Sequence, residues 1–139
     1  FVDKEGNYIG RHKGIIHYTI GQRRGLGIPA ASRLYVCEIS PKTNTVVLGD
    51  NADLFSSELE ADSVNLISVD SLTEPKRVTA KIRYRHKEQP ATAWQTPDGI
   101  LHVKFDEPQR AITKGQAVVM YDGDEVVGGG VINKIYNQS

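Results

Sequence analysis

Alternation of apolar and polar residues dominates the second half of the chain. In RVTAKIRYR, Val78, Ala80, Ile82 and Tyr84 fall on one face, with Arg77, Thr79, Lys81, Arg83 and Arg85 on the other. That is the period of a half-buried strand. ATAWQT and ILHVKF flank Pro97-Asp98-Gly99, a tight-turn tripeptide, and predict a hairpin. QAVVMY and VVGGGVI flank DGDE and predict another. Nearer the start, RLYVCEI (Arg33–Ile39) and TVVL (Thr45–Leu48) flank the turn SPKTN. Helix signals are weak and strongest at NADLFSSEL, where Asn51 or Asp53 could cap a first turn. Short strands at close spacing predict a mainly β chain. Its loop-rich first segment covers residues 1–58 and a closed β-barrel covers 59–139, with the boundary in the acidic stretch Ser57–Ala61. Three glycines at 128–130 interrupt an apolar strand and predict a bulge or a close backbone approach.

Composition narrows the class. A hydrophobic fraction of 39% in 139 residues supports one ordinary domain or two small ones. No apolar run approaches the length of a membrane span, and no signal peptide opens the chain. The expectation is a cytoplasmic protein without a membrane partner. The start at Phe1 rather than Met suggests residues upstream. A single cysteine, Cys37, excludes an internal disulfide and a cysteine-cluster metal site.

The net formal charge is zero, yet the charges come in blocks. Gly10–Arg24 holds Arg11, Lys13, Arg23 and Arg24 and no acid, whereas Gly49–Glu74 holds seven acids and no base. Six cations then follow in twelve residues, from Lys76 to Lys87. Such blocks either build a basic face on a neutral protein or lie on solvated strand faces that never meet.

Candidate chemistry is sparse. HYTIGQRRGLGI looks superficially like a phosphate-binding loop, but no Lys-Ser or Lys-Thr follows and no strand-to-helix context surrounds it. Its glycines and its arginines, Arg23 and Arg24, suit contact with RNA phosphates or with a neighbouring domain. His12 and His17 lack a third ligand nearby, so no metal is expected and hydrogen-bonded loop histidines are the plainer alternative. Cys37 lies in an alternating strand, where a buried thiol is expected rather than a nucleophile. KIRYRHKE carries the strongest signal: guanidinium groups for phosphates and an aromatic ring for stacking on a base. The alternative is that Tyr84 belongs to the core and the arginines are solvated. No paired carboxylates and no nucleophile–base constellation stand out.

Taken together, GRHKGIIHYTIGQRRGLGI, LYVCEI, NTVVLG, KIRYRH and VKFDEPQRAITKGQAVVMYDGDEVVGGGVI resemble, in this order and over essentially the whole chain, the bacterial tRNA-specific 2-thiouridylases (the MnmA/TrmU family). The resemblance implies a central segment followed by a C-terminal β-barrel similar to those of translation elongation factors. It implies a parent enzyme that uses ATP with Mg to adenylate the C2 oxygen of a wobble uridine. A cysteine persulfide, loaded by a sulfur-donor protein, then gives 2-thiouridine and releases AMP. The Ser-Gly-Gly-x-Asp-Ser signature of the PP-loop ATPase domain is absent from these residues, and Cys37 matches neither catalytic cysteine of the family. The chain is therefore expected to be non-catalytic and to bind no cofactor itself. Its implied partner is tRNA, and DNA is not. Arg83 and Tyr84 fall on the family's Arg-Tyr tRNA contact, and Gln116 on the glutamine of its Pro-Gly-Gln turn, with Lys114 in place of the proline. Lys13, Arg23, Arg24, Arg85 and Lys114 are further candidates for tRNA or interdomain contact. A stand-alone RNA-binding barrel, or a structural interdomain module, is the competing expectation.

Overall fold

The computed structural model describes residues 1–27, 34–83 and 86–136. Tyr84 and Arg85, and the Ile28 and Arg33 ends of two quoted motifs, lie outside the described residues. The chain divides into two compact units, Phe1–Phe55 and Ser56–Ser139.

The first unit is a three-stranded sheet with long loops. Strand β1 (Val2–Asp3) runs parallel to β3 (Thr45–Gly49), which pairs antiparallel with β2 (Tyr35–Ser40). The SPKTN segment turns between β2 and β3, with Asn44 at φ 51. Asparagine tolerates this left-handed conformation better than most residues. Val36, Val46 and Leu48 fill the sheet side of a small core, and Phe1, Tyr18 and Leu26 pack onto it from the loops. The helix signal near residue 51 resolves as one short 3₁₀ turn, Asn51–Leu54, capped by Asp50. The Asp50 amide donates to the Asp53 carboxylate at 2.8 Å. Four residues of helix cannot compete with the strand that follows, because each added residue there gains ladder hydrogen bonds.

That strand, β4 (Phe55–Leu66), opens the second unit, a closed six-stranded barrel. Around the wall the order is β4, β7 (Leu101–Arg110), β6 (Gln89–Gln95), β5 (Lys76–Lys81), β8 (Ala117–Asp122) and β9 (Glu125–Ile135). Closure removes the exposed sheet edges that would otherwise recruit other strands. Inward residues fill the lumen, among them Leu59, Leu101, Val103, Val118, Met120 and Ile132, all almost fully buried. Each such aliphatic side chain contributes about 1.5–3 kcal/mol by leaving water.

Turn chemistry sets the hairpins. Gly99 sits at φ 88, and the Thr96 amide closes the Pro97-Asp98-Gly99 turn on the Ile100 carbonyl at 2.9 Å. Gly123 at φ 63 supplies the left-handed residue between β8 and β9. The triple glycine is a matter of space. A Cβ on Gly129 would lie 2.1 Å from the Val118 carbonyl oxygen, and one on Gly128 would lie 2.4 Å from that of Asn65. Strand β9 runs between β4 and β8 at a separation that only glycine permits.

Candidate nucleic-acid interface

Strand β5 ends sooner than the alternating pattern predicts. Its ladders stop at Lys81, opposite Val119. Ile82 still points inward and is buried, which turns Arg83 back across the barrel wall. The Arg83 guanidinium donates through Nη2 to the carbonyl oxygen of Ala111, just past the end of β7. The same oxygen accepts the Thr113 hydroxyl at 3.0 Å. Ala111 has φ 56, a conformation that costs an L-residue about 1–2 kcal/mol. Its burial with Ile112, and the two donors on its carbonyl, hold it there.

The segment then presents Lys114, Gly115 and Gln116 at the surface. Its backbone is tied down. The Gly115 amide donates to the Ile132 carbonyl at 2.8 Å, the Ile132 amide to the Gln116 carbonyl at 2.9 Å, and the Gln116 amide to Thr113 at 3.3 Å. These bonds fix the turn despite the loss of the φ restriction that a proline at 114 would impose. Arg83 and the 114–116 turn, 31 positions apart in sequence at their nearest, therefore share one end of the barrel.

The cationic face of β5 is less basic than its sequence. Lys76 pairs with Asp122 at 3.0 Å. Arg77 grips Asp106 through two parallel bonds of 2.7 and 2.6 Å and also donates to Thr92 at 3.0 Å. These bonds hold the Asp106 carboxyl below its usual range and raise the guanidinium of Arg77. Burial, and then the charge of Arg110, lower the pKa of Arg83.

In the first unit the glycine-rich loop is an ordered structure. The Gly21 amide donates to Val36, and the Val36 amide to Gln22, each at 2.8 Å. The Gln22 carboxamide closes the loop on itself, accepting from the Thr19 amide at 3.0 Å and donating to the Arg24 carbonyl at 2.9 Å. Gly21, Gly25 and Gly27 take φ of 90, 75 and 74, which the turns require. Leu26 is buried as the anchor, while Lys13, Arg23 and Arg24 stand exposed. Arg23 lies over the Tyr35 ring at 5.9 Å.

Both nitrogens of His12 are engaged. Nδ1 accepts from the Gly14 amide at 2.9 Å, which leaves Nε2 to donate to the Asn44 carbonyl at 2.7 Å. No grouping of three metal-ligating residues occurs among the described residues. Cys37 is the extra residue of a bulge in β2, between Val36 and Glu38. Burial, then the charges of Asp53 and Asp50, push its thiol up to about 11. It therefore stays protonated at neutral pH and offers no thiolate.

One cluster has no counterpart in the sequence reading. On the outer barrel wall Trp94 stacks on His102, with centroids 5.2 Å apart and planes 7° from parallel. His102 Nε2 lies 4.0 Å from Glu60, which also accepts the Tyr136 hydroxyl and faces Lys134 at 3.5 Å. These residues come from β4, β6, β7, β9 and the segment after β9, so only strand register could have revealed the group.

A closed six-stranded barrel with a lumen packed with side chains, preceded in the chain by a small sheet, defines a β-barrel domain protein. The chain belongs to the aminomethyltransferase beta-barrel domain family, whose model matches residues 56–132. Residues 1–50 match the tRNA methyl transferase PRC-barrel domain. The chain is 60% identical over 96% of its length to the tRNA-specific 2-thiouridylase MnmA of Clostridioides difficile. It is 57% identical over 95% to that of Acetivibrio thermocellus, and 54% identical over 95% to that of Clostridium acetobutylicum. It spans 37% of the length of each of these relatives. The resemblance to the 2-thiouridylases thus holds over nearly every residue of the chain.

Proposed function

We propose that the chain is the tRNA-binding, non-catalytic portion of a tRNA-specific 2-thiouridylase of the cytoplasm. The observation that carries this is the sustained identity, 60% over 96% of the chain, with a protein named for that activity. In this reading the complete enzyme adenylates the wobble uridine with ATP and Mg and accepts sulfur from a donor protein, all in a domain outside these residues. The chain contributes grip. Gln116, on its fixed turn, has the donor and acceptor needed for a sugar or base edge, and Lys114 beside it suits a phosphate. By resemblance Arg83 and Tyr84 belong to the same contact, with Arg85 next to them. The exposed Lys13, Arg23 and Arg24 of the first unit suit phosphates or a partner domain.

The pairing of Lys76 and Arg77 with acids favours a second reading, a structural barrel whose basic strand never meets RNA. An NMR titration with an unmodified tRNA transcript separates the two. The tRNA reading expects chemical-shift changes at residues 113–116 and at the 11–24 segment. Unchanged resonances at both would reject it.

A further inference from the structure

We propose that Arg110, the last residue of β7, joins Arg83 in a two-guanidinium site for a backbone phosphate of the tRNA. This rests on the tRNA reading above and extends that contact by one residue. Ala111, which follows Arg110 in the chain, gives its carbonyl oxygen to Nη2 of Arg83. The end of β7 and the second residue past β5 therefore meet at one end of the barrel. The bond to Ala111 occupies one of the five N–H donors of a guanidinium. It orients Arg83 without neutralising its charge. Burial, and then the charge of Arg110, disfavour the charged form of Arg83, so the second guanidinium lies within its field. Guanidinium groups stay charged at neutral pH. Holding two of them together costs the free chain stability, and an anion whose oxygens meet both forks relieves the repulsion.

Register separates Arg110 from the cations of the barrel wall. Lys76 and Arg77 lie beside strands that carry Asp122 and Asp106. The pairing of β7 with β6 ends at Phe105, and Arg110 stands exposed beyond it. The sequence around the two arginines is free of acids: none lies between Glu74 and Glu88, and none between Glu107 and Asp122. Glu88, which ends the first of these stretches, is engaged with the Thr79 hydroxyl at 3.1 Å. A phosphodiester suits the place better than a protein carboxylate. Gln116, exposed on its fixed turn, offers a donor and an acceptor to the adjoining sugar or base, and Lys114 offers a charge to the next phosphate.

Two measurements on the whole chain test this. The first is affinity for an unmodified tRNA transcript with uridine at the wobble position, across a salt series. Arg110→Gln should weaken binding about tenfold and lower the salt slope by about one. Arg110→Lys, which keeps the charge and loses the fork, should restore the slope and part of the affinity. Because the two arginines share one phosphate, adding Arg83→Gln to Arg110→Gln should cost less than the product of the single effects. Unchanged affinity and slope in Arg110→Gln, or effects that multiply, overturn the shared site. Thermal melts of Arg110→Gln should lie no lower than wild type, since a repelled cation is removed. A variant that melts well below wild type would make Arg110 a structural residue and overturn the proposal. The second measurement needs no RNA. The Nε–H NMR signals of Arg83 and Arg110 should both shift on adding inorganic phosphate at constant ionic strength, and the Arg83 response should shrink in Arg110→Gln. Signals that stay fixed, or an Arg83 response that ignores Arg110, would show that no two-arginine anion site exists. A wild-type chain that binds no transcript rejects the tRNA reading, and with it the role of Arg110 in recognition. The phosphate titration separately reports whether the anion site itself is present.

Discussion

The two basic blocks of this chain meet opposite fates. In the first unit Lys13, Arg23 and Arg24 stand exposed on loops whose backbone is pinned by Gln22, Leu26 and the amides of Gly21 and Val36. In the barrel, Lys76 and Arg77 are met by Asp122 and Asp106 on neighbouring strands, and Arg83 turns onto a carbonyl. On a loop no strand register decides what a charge meets: Arg23 lies over the Tyr35 ring, and Lys4 pairs with Asp53 at 3.5 Å. Charge on a closed barrel wall has a neighbour on each side, and pairing follows from register. A run of cations in sequence therefore says little about surface potential until the topology around it is known.

The largest contrast between the units concerns their glycines. Gly129→Ala drives a Cβ into the Val118 carbonyl and should cost the barrel about 3 kcal/mol. Gly27→Ala meets open space and suffers only its φ of 74, which should cost the first unit about 1 kcal/mol. Urea melts followed by Trp94, the single tryptophan, report the barrel, and backbone NMR signals report the first unit. Equal effects would break the comparison.

A smaller effect is expected in RNA binding. Arg24→Ala should weaken tRNA affinity several-fold and lower the salt slope by about one. The paired change Arg77→Ala/Asp106→Ala removes a neutral couple and should leave both unchanged. Filter binding at several salt concentrations checks this, and a loss in the paired variant would restore the basic-face picture.

Acid should act mainly on the barrel. Glu60 is held low by the Tyr136 hydroxyl and then Lys134, Asp98 by the Thr96 hydroxyl and Asp106 by Arg77, whereas in the first unit Asp3 is held low by the Asn7 amide. Depressed carboxyl pKa values contribute stability above the ordinary carboxylate pKa. That stability is lost as pH falls from the ordinary carboxylate pKa through the lower folded values. Tyr136→Phe removes the main cause at Glu60 and should flatten the acid limb of a pH-dependent melt. The smallest signal is expected at Cys37. With its thiol at about 11, iodoacetamide at pH 7.5 should label the native chain roughly a hundredfold more slowly than a free cysteine. Labelling at the free-thiol rate would contradict the burial argument.

Much of the barrel was legible because turn chemistry is local. Pro97-Asp98-Gly99 and the Gly123 turn announce their hairpins within a few residues. Strand β4 was not legible. Of its inward residues only Leu59 and Ala61 are apolar and fully buried, and its bulges break the alternation that would have marked it. The short capped turn before it also resembles a helix start. At the candidate site, Gln116 and Arg83 could be picked out by resemblance. Their sharing of one barrel end could not, since the Arg83–Ala111 bond spans 28 positions. The acids opposite Lys76 and Arg77 were hidden for the same reason, because no spacing within one strand reveals what faces it from the next.

The central claim is that the 114–116 turn forms part of a tRNA grip. Its most direct test is the affinity of the chain for an unmodified tRNA transcript across a salt series, for wild type and for Lys114→Ala/Gln116→Ala. The account predicts binding that weakens linearly in log–log form, with the double variant about tenfold weaker and its slope smaller by about one. Wild-type and variant curves that coincide, or a flat response to salt, would contradict it.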